Sequence, residues 1–115
     1  LRLLAGLLDA AQALHQAGSQ WILVNGSFVT SKIQPNDIDA CYDDTTLDYY
    51  LLEQLEPSLV DFSNRRAAQK TRFHCEFFPA RAVADNAGQQ FQDFFRHDRN
   101  NQDKGIIRLY LPIVF

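Results

Sequence analysis

Three groups of residues have the types and spacing for chemistry on phosphate. An apolar run, Trp21-Ile22-Leu23-Val24, leads into Asn25-Gly26-Ser27. Glycine lets the backbone approach a ligand closely, and free N–H groups at the start of a following helix attract phosphate oxygens. Ser27 adds a hydroxyl donor. Nine residues after Ser27 comes Asp37-Ile38-Asp39. Strand residues two apart share a face, about 6.6–6.8 Å apart along the chain. Two carboxylates so placed can converge on divalent cations, and their hard oxygens suit Mg²⁺ or Mn²⁺. Two like charges on one strand are costly unless something neutralises them. A third acid, Glu76, stands in Phe73-His74-Cys75-Glu76-Phe77-Phe78, where strand parity groups His74, Glu76 and Phe78 on one face. A turn with a capping serine, a solvent-facing strand end and an edge acid would account for each part singly. Their combination points to a metal and phosphate site.

These residues need elements to hold them. Leu3, Leu4, Leu7, Leu8, Ala11 and Leu14 recur at helical spacing, and Gly18 is a natural stop for that helix. Trp21 to Val24 suits a strand buried on both faces. A short helix is expected over Phe28–Lys32, a turn at Pro35-Asn36, and a second strand from Asp37 to Tyr42, ended by Asp43 and Asp44. Thr45 or Thr46 is positioned to cap a helix over Leu47–Leu55, closed by Pro57. Leu59 to Phe62 reads equally as a short strand or a turn. Ser63–Lys70 reads as a basic helix, Phe73–Phe78 as a strand and Ala87–Arg96 as a helix with Phe91, Phe94 and Phe95 turned to the core. Asp98–Asp103 reads as a polar loop and Gly105–Leu111 as a last strand. The alternation predicts an α/β (α+β) fold, a mixed sheet flanked by helices, in one domain over residues 1–115.

Composition narrows the classes. The net charge of −3 argues against a surface that coats nucleic acid generally, leaving room only for a local basic stripe. Cys41 and Cys75 are too few for a disulfide scaffold and lie outside any C-x-x-C spacing, so buried free thiols in a reducing, cytoplasmic compartment are expected. No apolar run approaches the roughly 18 residues of a membrane-spanning helix. The leucine-rich start carries Asp9, Gln12 and His15, unlike a signal peptide. With no methionine in the sequence, a start upstream of Leu1 is expected, within a longer chain.

The stretch Leu23 to Ser27, the nine-residue spacer and Asp37-Ile38-Asp39-Ala40 resemble the signature of the polymerase-beta-like nucleotidyltransferase superfamily. Cys75-Glu76-Phe77 resembles its third acid, flanked by apolar residues on a later strand, although Asp is common there. More narrowly, Gly26 to Lys32, Pro35 to Asp39, Phe62 to Lys70, Glu76 to Ala80 and Lys104 to Ile106 resemble an uncharacterised bacterial and phage group of minimal nucleotidyltransferases. The resemblance covers the chain from about Trp21 to Leu111. It implies a minimal nucleotidyltransferase fold and transfer of a nucleoside monophosphate from an NTP to a hydroxyl on RNA, protein or a small molecule. It also implies that Gly26 and Ser27 hold the triphosphate, and that Asp37, Asp39 and Glu76 are catalytic and bind Mg²⁺ or Mn²⁺. A toxin–antitoxin or phage-defence setting, with a cognate partner protein, goes with the resembled group.

Other residues have two readings. Lys32 is a phosphate contact or a solvated lysine. Arg65, Arg66, Lys70 and Arg72 form a phosphate or nucleic-acid groove, or an exposed charged helix face. His74 touches the metal site or packs in its strand. Asp61, between Val60 and Phe62, rivals Glu76 as third acid. One competing function is a catalytically inactive domain of the same fold that binds a nucleotide or a partner. Another is a phosphatase of the haloacid-dehalogenase type, whose Asp-x-Asp follows a buried strand; here the strand follows the acids.

Overall fold

The computed structural model describes residues 2–25, 38–96 and 106–113. The order is α1 (Arg2–Gln16), β1 (Trp21–Asn25), β2 (Ile38–Tyr42), α2 (Tyr49–Leu55), a 3-10 turn (Pro57–Val60), α3 (Ser63–Phe73), β3 (Cys75–Pro79), α4 (Phe91–Phe94) and β4 (Ile106–Tyr110). The strands form one mixed sheet in the order β3-β2-β1-β4. β1 runs antiparallel to β2 and β4, while β2 and β3 are parallel. The fold is therefore mixed α and β with a helix-flanked sheet, as the alternation predicted. The parallel β2–β3 pair needs a crossover, and α2, the 3-10 turn and α3 supply it.

Alternation along the strands divides the apolar residues between two faces. Ile22, Val24, Ile38, Ala40, Tyr42, Cys75 and Phe77 pack with Leu7, Ala10 and Leu14 of α1, and with Leu52, Leu59 and Phe73 from the crossover. On the opposite face Leu23, Cys41, Ala80 and Phe95 form a smaller cluster, joined by Trp21, Phe78, Phe91 and Ile106. Both cysteines are free and buried, one on each face.

α1 stops where the glycine predicted. Gly18 has φ +106°. Its N–H donates to the His15 carbonyl (3.0 Å), and the Ser19 N–H donates to that of Leu14 (2.9 Å), the bond pair of a Schellman end. Gly6 has a different role: a Cβ there would overlap the Phe73 carbonyl, so α1 and α3 approach backbone to backbone.

Several boundaries differ from the expectations. Asp48, not Thr45 or Thr46, caps α2, its side chain accepting from the Leu51 N–H at 3.1 Å. Residues Pro57–Val60 form a 3-10 turn, neither a strand nor a simple turn. The helix expected over Ser63–Lys70 runs on to Phe73, and β3 starts at Cys75. Between them His74 adopts the left-handed conformation (φ 58°) that ends the helix. The helix expected over Ala87–Arg96 shrinks to Phe91–Phe94. Asp85 accepts from the N–H groups of Ala87 and Gln89, holding the preceding residues in a turn. Phe95 is buried but Phe94 is 43% exposed, so the aromatic trio is only partly core. Asp43 and Asp44 end β2 as expected. Asp43 accepts from the N–H groups of Gln20 and Thr45, and Asp44 accepts from Arg81. The expected helix at Phe28–Lys32, the turn at Pro35-Asn36 and the loop at Asp98–Asp103 lie outside the described residues.

Candidate active site

The sheet brings Asp39 and Glu76 together. They are partners in the parallel β2–β3 register, so their side chains leave the same face from neighbouring strands. That face is the one with the smaller apolar cluster, and both residues are half-buried on it. The location follows from strand parity. Ile38, Ala40, Cys75 and Phe77 turn into the helix-covered core, which directs Asp39 and Glu76 away from it.

The same sheet end receives β1. Val24 pairs with Ala40, and β1 continues one residue further to Asn25, which pairs with Ile106 of β4. Asn25 shares the Asp39 face and stands directly before Gly26 in the chain, while β2 begins directly after Asp37. Gly26, Ser27, Lys32 and Asp37 themselves lie outside the described residues. Of the three acids expected to bind metal, the structure thus brings two side by side. Among the described residues, no group of three or more His, Cys, Asp or Glu side chains is placed to hold a metal ion.

Glu76 is held by cations. Arg66 donates from Nε to Oε1 at 2.9 Å, and Lys70 Nζ lies 3.6 Å from the same oxygen. The Arg66 guanidinium also sits 4.5 Å from the centroid of the Phe78 ring. Phe78 in turn stacks on Phe91 at 4.4 Å between centroids. β3 is an edge strand, so cations on α3 can reach around the edge to the opposite face. The arrangement uses unusual backbone. Asn64, Arg65 and Arg66 have φ of 51°, 55° and 62°, a left-handed turn that opens α3. Asparagine tolerates this region, whereas each arginine there costs about 1–2 kcal/mol. The edge is closed further along by Gln69, which is fully buried. Gln69 Oε1 accepts from the Phe77 N–H at 2.7 Å, and its Nε2 donates to the Leu59 carbonyl at 3.3 Å.

The alternative ligands fall away from this pair. His74 precedes the strand and turns the chain by its positive φ, so it does not share the Glu76 face by strand parity. Asp61 is fully exposed and accepts from the hydroxyl and N–H of Ser63, bonds that lower its pKa. It serves the start of α3, not the sheet. Arg72, expected in one basic cluster with Arg66 and Lys70, pairs instead with Glu56 at 3.0 Å and Asp9 at 3.6 Å. Within that cluster Arg66 and Lys70 pair with Glu76 of β3, whereas Arg72 pairs with Asp9 of α1 and with Glu56.

Sequence reasoning singled out Arg66 and Lys70 only as members of a charge run and did not pair them with Glu76. Their spacing, four residues apart, hints at one helix face, but the contact depends on the left-handed turn. Gln69 also went unremarked, because a lone glutamine in a basic helix carries no signal of burial. A cleft of about 340 Å³ lies between α1 and residues 112–113, lined by Leu8, His15 and Pro112. It belongs to α1, which packs on the opposite face from Asp39 and Glu76.

No helix among the described residues is long and apolar enough to cross a membrane. Comparison with curated proteins finds no match, and neither does comparison with solved structures. A family model described as a family of unknown function, DUF6932, matches residues 1–110, and the chain belongs to that family.

Proposed function

We propose that the protein is a metal-dependent nucleotidyltransferase of the polymerase-beta-like kind, moving a nucleoside monophosphate from an NTP to a hydroxyl on RNA, protein or a small molecule. The observation that carries the reading is the Asp39–Glu76 pair, side by side on one sheet face. The sheet end that bears it also receives the β1 residue preceding Gly26-Ser27. Asp37, Asp39 and Glu76 would hold Mg²⁺ or Mn²⁺. Gly26 and Ser27, with Lys32, would hold the triphosphate. In the transfer the acceptor hydroxyl oxygen bonds to the α-phosphorus and the bond from that phosphorus to the β-phosphate oxygen breaks. Pyrophosphate leaves, and the hydroxyl proton passes to a site carboxylate or water. Divalent cations held by Asp37, Asp39 and Glu76 would supply charge neutralisation for the transfer. The carboxylates orient them, and positioning does most of the rest. A toxin–antitoxin or phage-defence role, a cognate partner protein and a cytoplasmic location go with the resemblance.

A second reading is an inactive domain that binds a nucleotide or a partner. The Arg66–Glu76 ion pair favours it, because it neutralises a carboxylate that a metal would need. Incubation with labelled NTPs, Mg²⁺ and candidate RNA and protein acceptors separates the two. The first reading expects transfer that Asp39→Asn abolishes. Absence of transfer combined with absence of metal and NTP binding sinks it, and binding without transfer selects the second.

A further inference from the structure

We propose that Arg66 and Lys70 are reserve anion ligands, held by Glu76 until a divalent cation takes that carboxylate, so that metal and polyphosphate bind the site cooperatively. The inference rests on the reading of Glu76 as a metal ligand.

Charge makes the first part of the argument. The described site balances two carboxylates, Asp39 and Glu76, against two cations, Arg66 and Lys70. A divalent cation arriving alone would leave the described site positive and would compete with both cations for the Glu76 carboxylate. A cation arriving with a polyphosphate finds them useful. Arg66 and Lys70, released from the carboxylate, would be free to take the anion. The planar guanidinium suits phosphate oxygens as well as it suits a carboxylate.

Backbone geometry makes the second part. Lys70 reaches Glu76 from the regular part of α3. Arg66 is brought to the same oxygen by three successive left-handed residues, a conformation that persists only where its surroundings fix it. Phe78 holds the guanidinium from the side, so the cation stays at the sheet edge when the carboxylate is engaged elsewhere. A purely structural tie to Glu76 needs no aromatic rest for the guanidinium.

The test is calorimetric titration of the protein with MnCl₂, with sodium tripolyphosphate, and with tripolyphosphate at saturating MnCl₂. In the wild type, Mn²⁺ is expected to raise tripolyphosphate affinity by roughly tenfold or more. In the R66Q/K70Q double variant the two effects move oppositely: Mn²⁺ alone binds more tightly, and the Mn²⁺-dependent gain for tripolyphosphate collapses. Arg66→Lys restores part of that gain. Should the double variant fail to fold by circular dichroism, Lys70→Gln alone carries the same two signs at smaller size. A variant that keeps the full gain, or that binds Mn²⁺ more weakly than the wild type, overturns the proposal. If the wild type binds Mn²⁺ and Asp39→Asn abolishes that binding while the gain ignores Arg66 and Lys70, this inference falls and the proposed function stands. A wild type that binds no Mn²⁺, either alone or with tripolyphosphate, and catalyses no transfer removes both.

Discussion

The two faces of the sheet are made from alternate residues of the same strands, yet they differ in kind. On the helix-covered face, β2 and β3 contribute Ile38, Ala40, Tyr42, Cys75 and Phe77, all buried. One position along, the same strands contribute Asp39 and Glu76 beside Cys41 and Phe78, on a face where, among the described residues, the short α4 and its neighbours pack. A five-residue strand can thus carry core and chemistry at once, because successive side chains point to opposite sides. One face carries the larger buried cluster, while the other carries the acid pair beside a smaller one.

The largest effects should come from breaking the first face. Phe77→Ala removes a fully buried ring packed edge-on against Phe73 at 5.8 Å. It is expected to cost about 3–5 kcal/mol in chemical denaturation. Asp39→Asn, one residue before Ala40, the strand partner of Phe77, and on the opposite face of the sheet, should change stability by about 1 kcal/mol or less. If the two costs proved equal, the division of labour between faces would be wrong.

A smaller effect should come from the polar group that seals the sheet edge. Gln69→Leu keeps volume but leaves the Phe77 N–H and the Leu59 carbonyl without their partner. The expected cost is about 1–3 kcal/mol, because a buried donor stripped of its acceptor bears its desolvation penalty. A neutral outcome would show that water reaches the β3 edge.

The smallest effects concern the cysteines, one per face. Burial pushes the thiols of Cys41 and Cys75 up to about 12 from an ordinary value of 9.0. For Cys75 the Asp39 carboxylate adds to the rise, whereas for Cys41 the Arg96 charge works against it. A raised folded pKa means that the folded state holds the proton more tightly. The associated stability is complete below pH 9 and is lost as pH climbs from 9 toward 12. Unfolding free energy measured over that range should therefore fall. Thiol labelling at neutral pH should be slow at both buried sites. Rapid labelling of either thiol would show that its cluster opens to solvent.

The legible part of the fold was the part governed by local periodicity. The Leu and Ala spacing of α1, its stop at Gly18, and the apolar run of β1 were all readable from neighbours within a few residues. Boundaries that depend on distant partners were less so. Phe73 reads as a strand residue by its aromatic neighbours, but burial beneath α1 keeps it in α3. Gly6 looks like a weakness in a helix, and its reason is the Phe73 carbonyl on another helix.

By itself the sequence determined the mixed α and β character, the alternation that sends Asp39 and Glu76 away from the core, and the acid types suited to a hard cation. Only the tertiary structure decided that the two acids are neighbours, since that depends on the parallel register of strands joined by a long crossover. It also decided that Glu76 is held by Arg66 and Lys70, through a left-handed turn and a sheet edge. Periodicity is a property of adjacent residues, whereas register and edge contacts arise from the packing of the whole sheet against its helices.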